Sequence, residues 1–189
     1  MKILQVRLAC GLMLAGAMGA PVGLVAQAAS AWKLAWSDEF TGPRGAYPDP
    51  AKWKFLTGSG PFGNEEAETY CKPGVAVPAP CSAEQPNAYL DGAGHLVLEA
   101  RLTNQTIAVG PKKIVSPVYT SARMASIPDF QYGRLEASIR LPVAAKGVWP
   151  AFWALGQQTR ERQWPAVGEI DMMEQWNPQP GSPGTLDGD

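Results

Sequence analysis

Histidine is nearly absent from this chain of 189 residues: His95 stands alone, and cysteine occurs three times. A zinc site of His and Cys ligands, or a Ser-His-Asp triad, needs more than these supply. His95 itself follows turn residues in "DGAGHLVLEA", where an exposed strand position explains it better than catalysis does. A basic excess is lacking as well. Sixteen Lys and Arg face 17 Asp and Glu, for a net charge of −1, so a phosphate backbone meets no complementary field and no nucleic-acid partner is expected. No internal repeat is visible, and the long apolar stretch is confined to the N-terminus.

That stretch reads as a secretory leader over residues 1–28. Lys2 and Arg7 give the positive start, "LACGLMLAGAMGAPVGLV" the apolar core, and "AQA" at 26–28 the small-residue cleavage site. Gly and Pro loosen the core and no stop-transfer charges follow, which argues against a retained membrane anchor. Cys10 precedes most of the apolar run, a poor position for lipidation. The expected destination is secreted or periplasmic, with no membrane contact once the leader is gone. The leader holds two of the basic residues and none of the acids, so the remainder, 29–189, carries −3. It keeps Cys71 and Cys81, an even pair in an oxidising compartment around the loop "KPGVAVPAP", and a disulfide is expected there in preference to two free thiols. Closing so short a loop contributes ~2–3 kcal/mol by chain entropy.

Residues 29–189 read as one all-β domain. In "GRLEASIRL" Leu135, Ala137, Ile139 and Leu141 alternate with Arg134, Glu136, Ser138 and Arg140, the pattern of a half-buried strand. "AWKLAWSDEF", "GHLVLEARL", "PVYTSARMA", "VWPAFWALG" and "VGEIDMMEQW" are further candidates, divided by turn clusters such as "TGPRGAYPDP". Many short strands with turn punctuation argue for two packed sheets. Single sandwiches often reach ~200–250 residues, and "NPQPGSPGTLDGD" offers no closing strand. The expectation is therefore an N-terminal piece of a longer domain, one that does not fold stably or act alone.

The stretch "GEIDMMEQW" crowds Glu169, Asp171 and Glu174 among apolar neighbours. Like charges held close repel and are costly to desolvate, so the arrangement calls for a cation or for shared proton work. In a strand Glu169 and Asp171 share a face, with Ile170 and Met172 turned toward a core, while Glu174 has the wrong parity. A one-residue bulge at Met172-Met173 returns it to their face. Four effective steps at ~3.3 Å then separate the glutamates by about 13 Å of backbone. Side chains leaning inward bring the carboxyls to ~5–6 Å, the spacing of a retaining glycosidase pair. Glu169 would be the ionised nucleophile, Glu174 the acid and then the base, and Asp171 the hydrogen-bonding support. A calcium site and a plain acidic strand remain alternatives at this point.

Trp149 and Trp153 fall on one strand face in "VWPAFWALG", and Trp164 precedes the acidic strand. Indole faces stack on the apolar faces of sugar rings, although a single tryptophan is more often core filler. Taken together, "AWSDEF", "GNEEAETY", "YTSARM", "YGRLEASIRLP", "GVWPAFWALG" and "WPAVGEIDMMEQ" occur in an order that resembles glycoside hydrolase family 16. The resemblance implies a concanavalin-like jelly-roll β-sandwich of two antiparallel sheets, with a sugar-binding cleft and a retaining double displacement on a β-linked polysaccharide. It matches Glu169 to the nucleophile, Asp171 to the assisting acid and Glu174 to the acid/base. Trp149 and Trp153 match cleft tryptophans, and Asn64 and Arg123 match sugar contacts near the scissile bond. Trp164 is taken as a further candidate contact. Two residues between Asp171 and Glu174 resemble the bulged branch of laminarinase-type endo-β-1,3-glucanases and some agarases. β-1,3-Glucan is the expected substrate, with mixed-linkage glucan, agarose or another galactan as alternatives, and a non-catalytic glycan-binding sandwich as the other class. A monomer requiring no cofactor is expected, and the resemblance allows a structural calcium ion in a complete domain.

Overall fold

A computed structural model describes residues 4–10, 32–59, 62, 66–109, 112–143, 145, 147–176 and 185–187. These form fourteen strands, and no helix occurs among the described residues: β1 Leu4–Cys10, β2 Lys33–Asp38, β3 Trp53–Leu56, β4 Gly58–Ser59, β5 Glu68–Tyr70, β6 Ala88–Leu90, β7 Leu96–Leu98, β8 Arg101–Val109, β9 Lys112–Ser121, β10 Arg123–Ser126, β11 Arg134–Ile139, β12 Ala151–Leu155, β13 Glu169–Trp176 and β14 Thr185–Asp187. The all-β class follows the turn-punctuated pattern of the sequence. Two compact units divide the chain, one built from Leu4–Ser138 and the other from Ile139–Asp189.

The first unit holds three sheets: a five-stranded one ordered β11-β1-β7-β6 with β2 on β1, a pair β10-β3, and a four-stranded one ordered β4-β5-β9-β8. β1 lies inside the segment read as a leader and runs antiparallel to β2 from Val6↔Asp38 to Cys10↔Lys33. In β11 the expected alternation is present, with Leu135, Ala137 and Ile139 half-buried and the residues between them exposed.

The "WSDEF" segment works as a hydrogen-bonding joint. Asp38 is buried; its Oδ2 accepts the Trp53 Nε1–H at 2.8 Å and its Oδ1 the Phe40 N–H at 3.0 Å. Lys52 Nζ stands 3.3 Å from Oδ1, so the buried carboxylate has two donors and a cation. Phe40 adopts a positive φ of 48°, uncommon for a non-glycine residue, and is held there by that N–H bond and by stacking on Trp53. Asn87, 2% exposed, ties the β7–β8 connection to β9: its Nδ2 donates to Glu99 O at 2.8 Å and to Thr120 Oγ1 at 3.1 Å. Apolar Leu90, Leu96 and Val97 are buried on β6 and β7.

Cys71 and Cys81 are bonded, with Cα atoms 5.6 Å apart. Cys71 N–H also donates to Ser121 O, extending the parallel β5–β9 pairing by one residue. His95 closes the turn before β7: its Nδ1 meets Asp91 Oδ2 at 2.7 Å. The Ala93 N–H, and then the His95 ring, hold the Asp91 carboxyl below its usual range. His95 is thus a half-buried turn residue and not a fully exposed one.

The second unit contains one sheet, β12-β13-β14. The tail expected to offer no closing strand supplies β14, which pairs with β13 through Glu174↔Asp187, Gln175↔Leu186 and Trp176↔Thr185. Its three residues show no readable periodicity; the open backbone groups along β13 select them.

Candidate active site

The β12–β13 connection fixes where the acidic strand begins. Gly156 N–H donates to Gly168 O at 3.0 Å, and Gly168 N–H to Pro165 O at 3.0 Å. Gly168 has φ of 79°, a left-handed turn that a side chain resists, and Glu169 follows at once as the first residue of β13. Within the loop Arg162 Nε donates to Ala166 O at 2.8 Å. Trp164 lies on this loop and is 62% exposed.

Along β13 the register runs Leu155↔Glu169, Ala154↔Ile170, Trp153↔Asp171, then Phe152↔Met173 and Ala151↔Glu174. Met172 has no partner, so it is the extra residue of a bulge, as the parity argument requires. Leu155, Trp153 and Ala151 alternate along an unbulged strand and share one face. Their partners Glu169, Asp171 and Glu174 therefore share it too. Glu169 and Asp171 are exposed and Glu174 is half-buried.

Trp149 sits two residues ahead of β12 and not on it, yet keeps the parity of Ala151 and Trp153. Its indole Nε1–H donates to Glu174 Oε1 at 3.2 Å, and 41% of the residue remains exposed. Trp153 is half-buried opposite Asp171. Ile170, expected to face a core with Met172, is instead 64% exposed. The register puts it on the opposite face from the acids, and the described residues of this unit provide no second layer over that face. Met172 is half-buried at the bulge. Asp187, opposite Glu174 in the register, is a further acidic position that the Pro- and Gly-rich tail hid from sequence reasoning.

In the first unit Arg123 Nη1 lies 3.7 Å from Glu66 Oε1, and its guanidinium stands over the Phe62 ring at 4.8 Å and the Tyr70 ring at 5.9 Å. The Tyr70 hydroxyl lies 2.8 Å from Glu66 Oε2 and 3.0 Å from Glu68 Oε1. Burial, with Glu66 next, pushes this phenol far above its usual range, so it stays a neutral donor. Sequence reasoning picked out Arg123 and missed these partners. The alternation Glu66, Glu68, Tyr70 in "GNEEAETY" carried the signal, because period two puts them on one face. Asn64 lies outside the described residues.

Among the described residues no three His, Cys, Asp or Glu side chains are grouped so as to hold a metal ion.

Residues 93–187 match the family model described as XgeA-like, catalytic GH16 domain. Over 147 residues the chain is 36% identical to a β-glucanase of Rhodothermus marinus, covering 76% of this chain and 43% of that protein. It is 35% identical over 144 residues to a glucan endo-1,3-β-glucosidase of Cryptopygus antarcticus, covering 76% and 46%. A solved endo-1,3-β-glucanase from Streptomyces sioyaensis aligns at 27% identity with a TM-score of 0.48, over 85% of this chain and 55% of that one. The chain spans less than half the length of the two curated relatives.

Proposed function

The chain belongs to glycoside hydrolase family 16, and from that premise we propose that it serves as part of an exported, retaining endo-β-glycosidase that cuts β-1,3-glucan. Glu169 is the nucleophile, Asp171 its hydrogen-bonding support and Glu174 the acid/base. The observation that carries this reading is the bulge at Met172, which aligns all three with Leu155, Trp153 and Ala151 on one sheet face. In the first step the Glu169 carboxylate bonds the anomeric carbon while the glycosidic C–O bond breaks and the departing oxygen takes the Glu174 proton. Water then gives a proton to Glu174, its oxygen bonds the anomeric carbon, and Glu169 leaves.

Trp149, Trp153 and Trp164 are proposed sugar contacts, with Arg123 and Asn64 matched through their motifs. The accessible rings of Trp149 and Trp164 support that use. The glucan assignment is supported by relatives named β-glucanase and glucan endo-1,3-β-glucosidase, and export by the apolar leader at residues 1–28. The enzyme is proposed to act as a monomer without a cofactor. In the protein made from its full reading frame, Glu169→Gln should abolish hydrolysis of β-1,3-glucan and leave oligosaccharide binding largely intact. Near-normal turnover in that variant sinks the assignment. A panel including mixed-linkage glucan and agarose decides the linkage.

A further inference from the structure

We infer that Trp149 is a positioning residue for proton transfer: its indole N–H holds Glu174 Oε1 as an acceptor and leaves Oε2 to carry the proton. This rests on the acid/base reading of Glu174. The Trp149 Nε1–H reaches Glu174 Oε1 at 3.2 Å. Indole donates and cannot accept, and the carbonyl oxygen of a carboxyl is a stronger acceptor than its hydroxyl, so the oxygen facing it is the one without a proton. The backbone makes the pair a unit. Val148 N–H closes a turn on Ala145 O at 3.0 Å, with Gly147 at φ 77° inside it. Pro150 O accepts Gln175 N–H at 3.0 Å, and Ala151 begins β12 opposite Glu174. Indole and carboxyl are therefore anchored to adjacent rungs of one two-strand ladder and move together.

The consequence is an assignment of oxygens. In the first step the proton on Oε2 passes to the glycosidic oxygen as that oxygen leaves the anomeric carbon and Glu169 bonds it. In the second, Oε2 takes a proton from water as the water oxygen bonds the anomeric carbon and Glu169 departs. Oε1 keeps its N–H partner throughout, which prevents the carboxyl from rotating between the two proton transfers.

Trp149→Phe keeps an aromatic ring and removes the donor. Its test compares two substrates in the protein made from its full reading frame: a β-1,3-gluco-oligosaccharide, whose departing alkoxide needs the proton, and a dinitrophenyl β-glycoside of the same sugar, whose leaving group does not. The expected result is a kcat/KM, which reports the first step alone, that falls at least ~10-fold more on the oligosaccharide than on the aryl glycoside, since a positioned acid contributes ~10²–10⁴. Equal losses on both, or a rise in KM alone, overturn the proposal and leave Trp149 as a sugar platform. A second readout needs no turnover. In ¹⁵N-labelled protein the Trp149 indole crosspeak, identified by its loss in Trp149→Phe, should move in Glu174→Ala; an unmoved crosspeak overturns the hydrogen bond. A wild-type protein that cuts neither substrate overturns the hydrolase reading and the proposal with it, whereas one that cuts both with an unchanged ratio overturns the proposal alone.

Discussion

Deleting Met172, and in a second variant Met172 together with Met173, separates strand parity from every other property of the acidic strand. With Met172 gone, each existing partnership survives: Asp171 still faces Trp153, Met173 still faces Phe152 and Glu174 still faces Ala151. Only the local bend of the bulge is lost. A displacement of about 1 Å at Glu174 costs up to ~10² in rate, so reduced but measurable hydrolysis is expected. Removing both methionines places Glu174 directly after Asp171, and a one-residue step in a strand sends it to the opposite face, with Ile170. The acid/base contribution of ~10²–10⁴ is then forfeited, about 3–5 kcal/mol on the barrier. The assay is release of reducing ends from β-1,3-glucan by the protein made from its full reading frame, with a thermal melt of each variant as control. A double deletion as active as the single one refutes the face argument. So does a single deletion as inactive as the double when the two melt alike.

Three further outcomes follow from the same geometry. Tyr70 binds its proton more tightly in the folded chain than in the unfolded one, chiefly through burial and then Glu66. The stability it supplies is whole below about pH 10, the phenol's ordinary range, and is lost as pH rises beyond it; Tyr70→Phe should flatten that alkaline loss in urea titrations. A Cβ added at Gly156 meets the Val167 carbonyl, so Gly156→Ala should cost ~1–3 kcal/mol by overcrowding, and should lower kcat by moving the turn that sets Glu169. Replacing Cys71 and Cys81 by serine should lower unfolding stability by ~2–3 kcal/mol, read from the denaturant midpoint.

What the sequence revealed was mainly local. The alternation in β11 and the parity conflict in "EIDMMEQ" could be read because strand period alone decides them, and the bulge follows from the position of Glu174. The disulfide was legible from the even cysteine pair left in residues 29–189 and the export expected of the chain. Ile170 was misjudged because hydrophobicity tells which residues favour burial, while burial itself depends on another layer arriving over that face. β14 escaped notice because backbone pairing along an edge needs no apolar pattern. Asp38 could not be identified as a buried joint from "WSDEF", since its partners Lys52 and Trp53 lie fourteen and fifteen residues further along the chain. The Trp149–Glu174 bond spans 25 residues, and composition is silent on such a meeting.

The central claim, that Glu169 and Glu174 work as a nucleophile and acid/base pair on one face, is tested most directly by the stereochemistry of the first product. Retaining chemistry requires carboxyls about 5–5.5 Å apart. Proton NMR recorded from the first moments of β-1,3-glucan hydrolysis, by the protein made from its full reading frame, should show the β-anomer of the new reducing end before mutarotation produces the α-anomer. An initial α-anomer would mean that water attacks in a single inverting step, that Glu169 forms no bond to the sugar, and that the shared face of the two glutamates serves different chemistry.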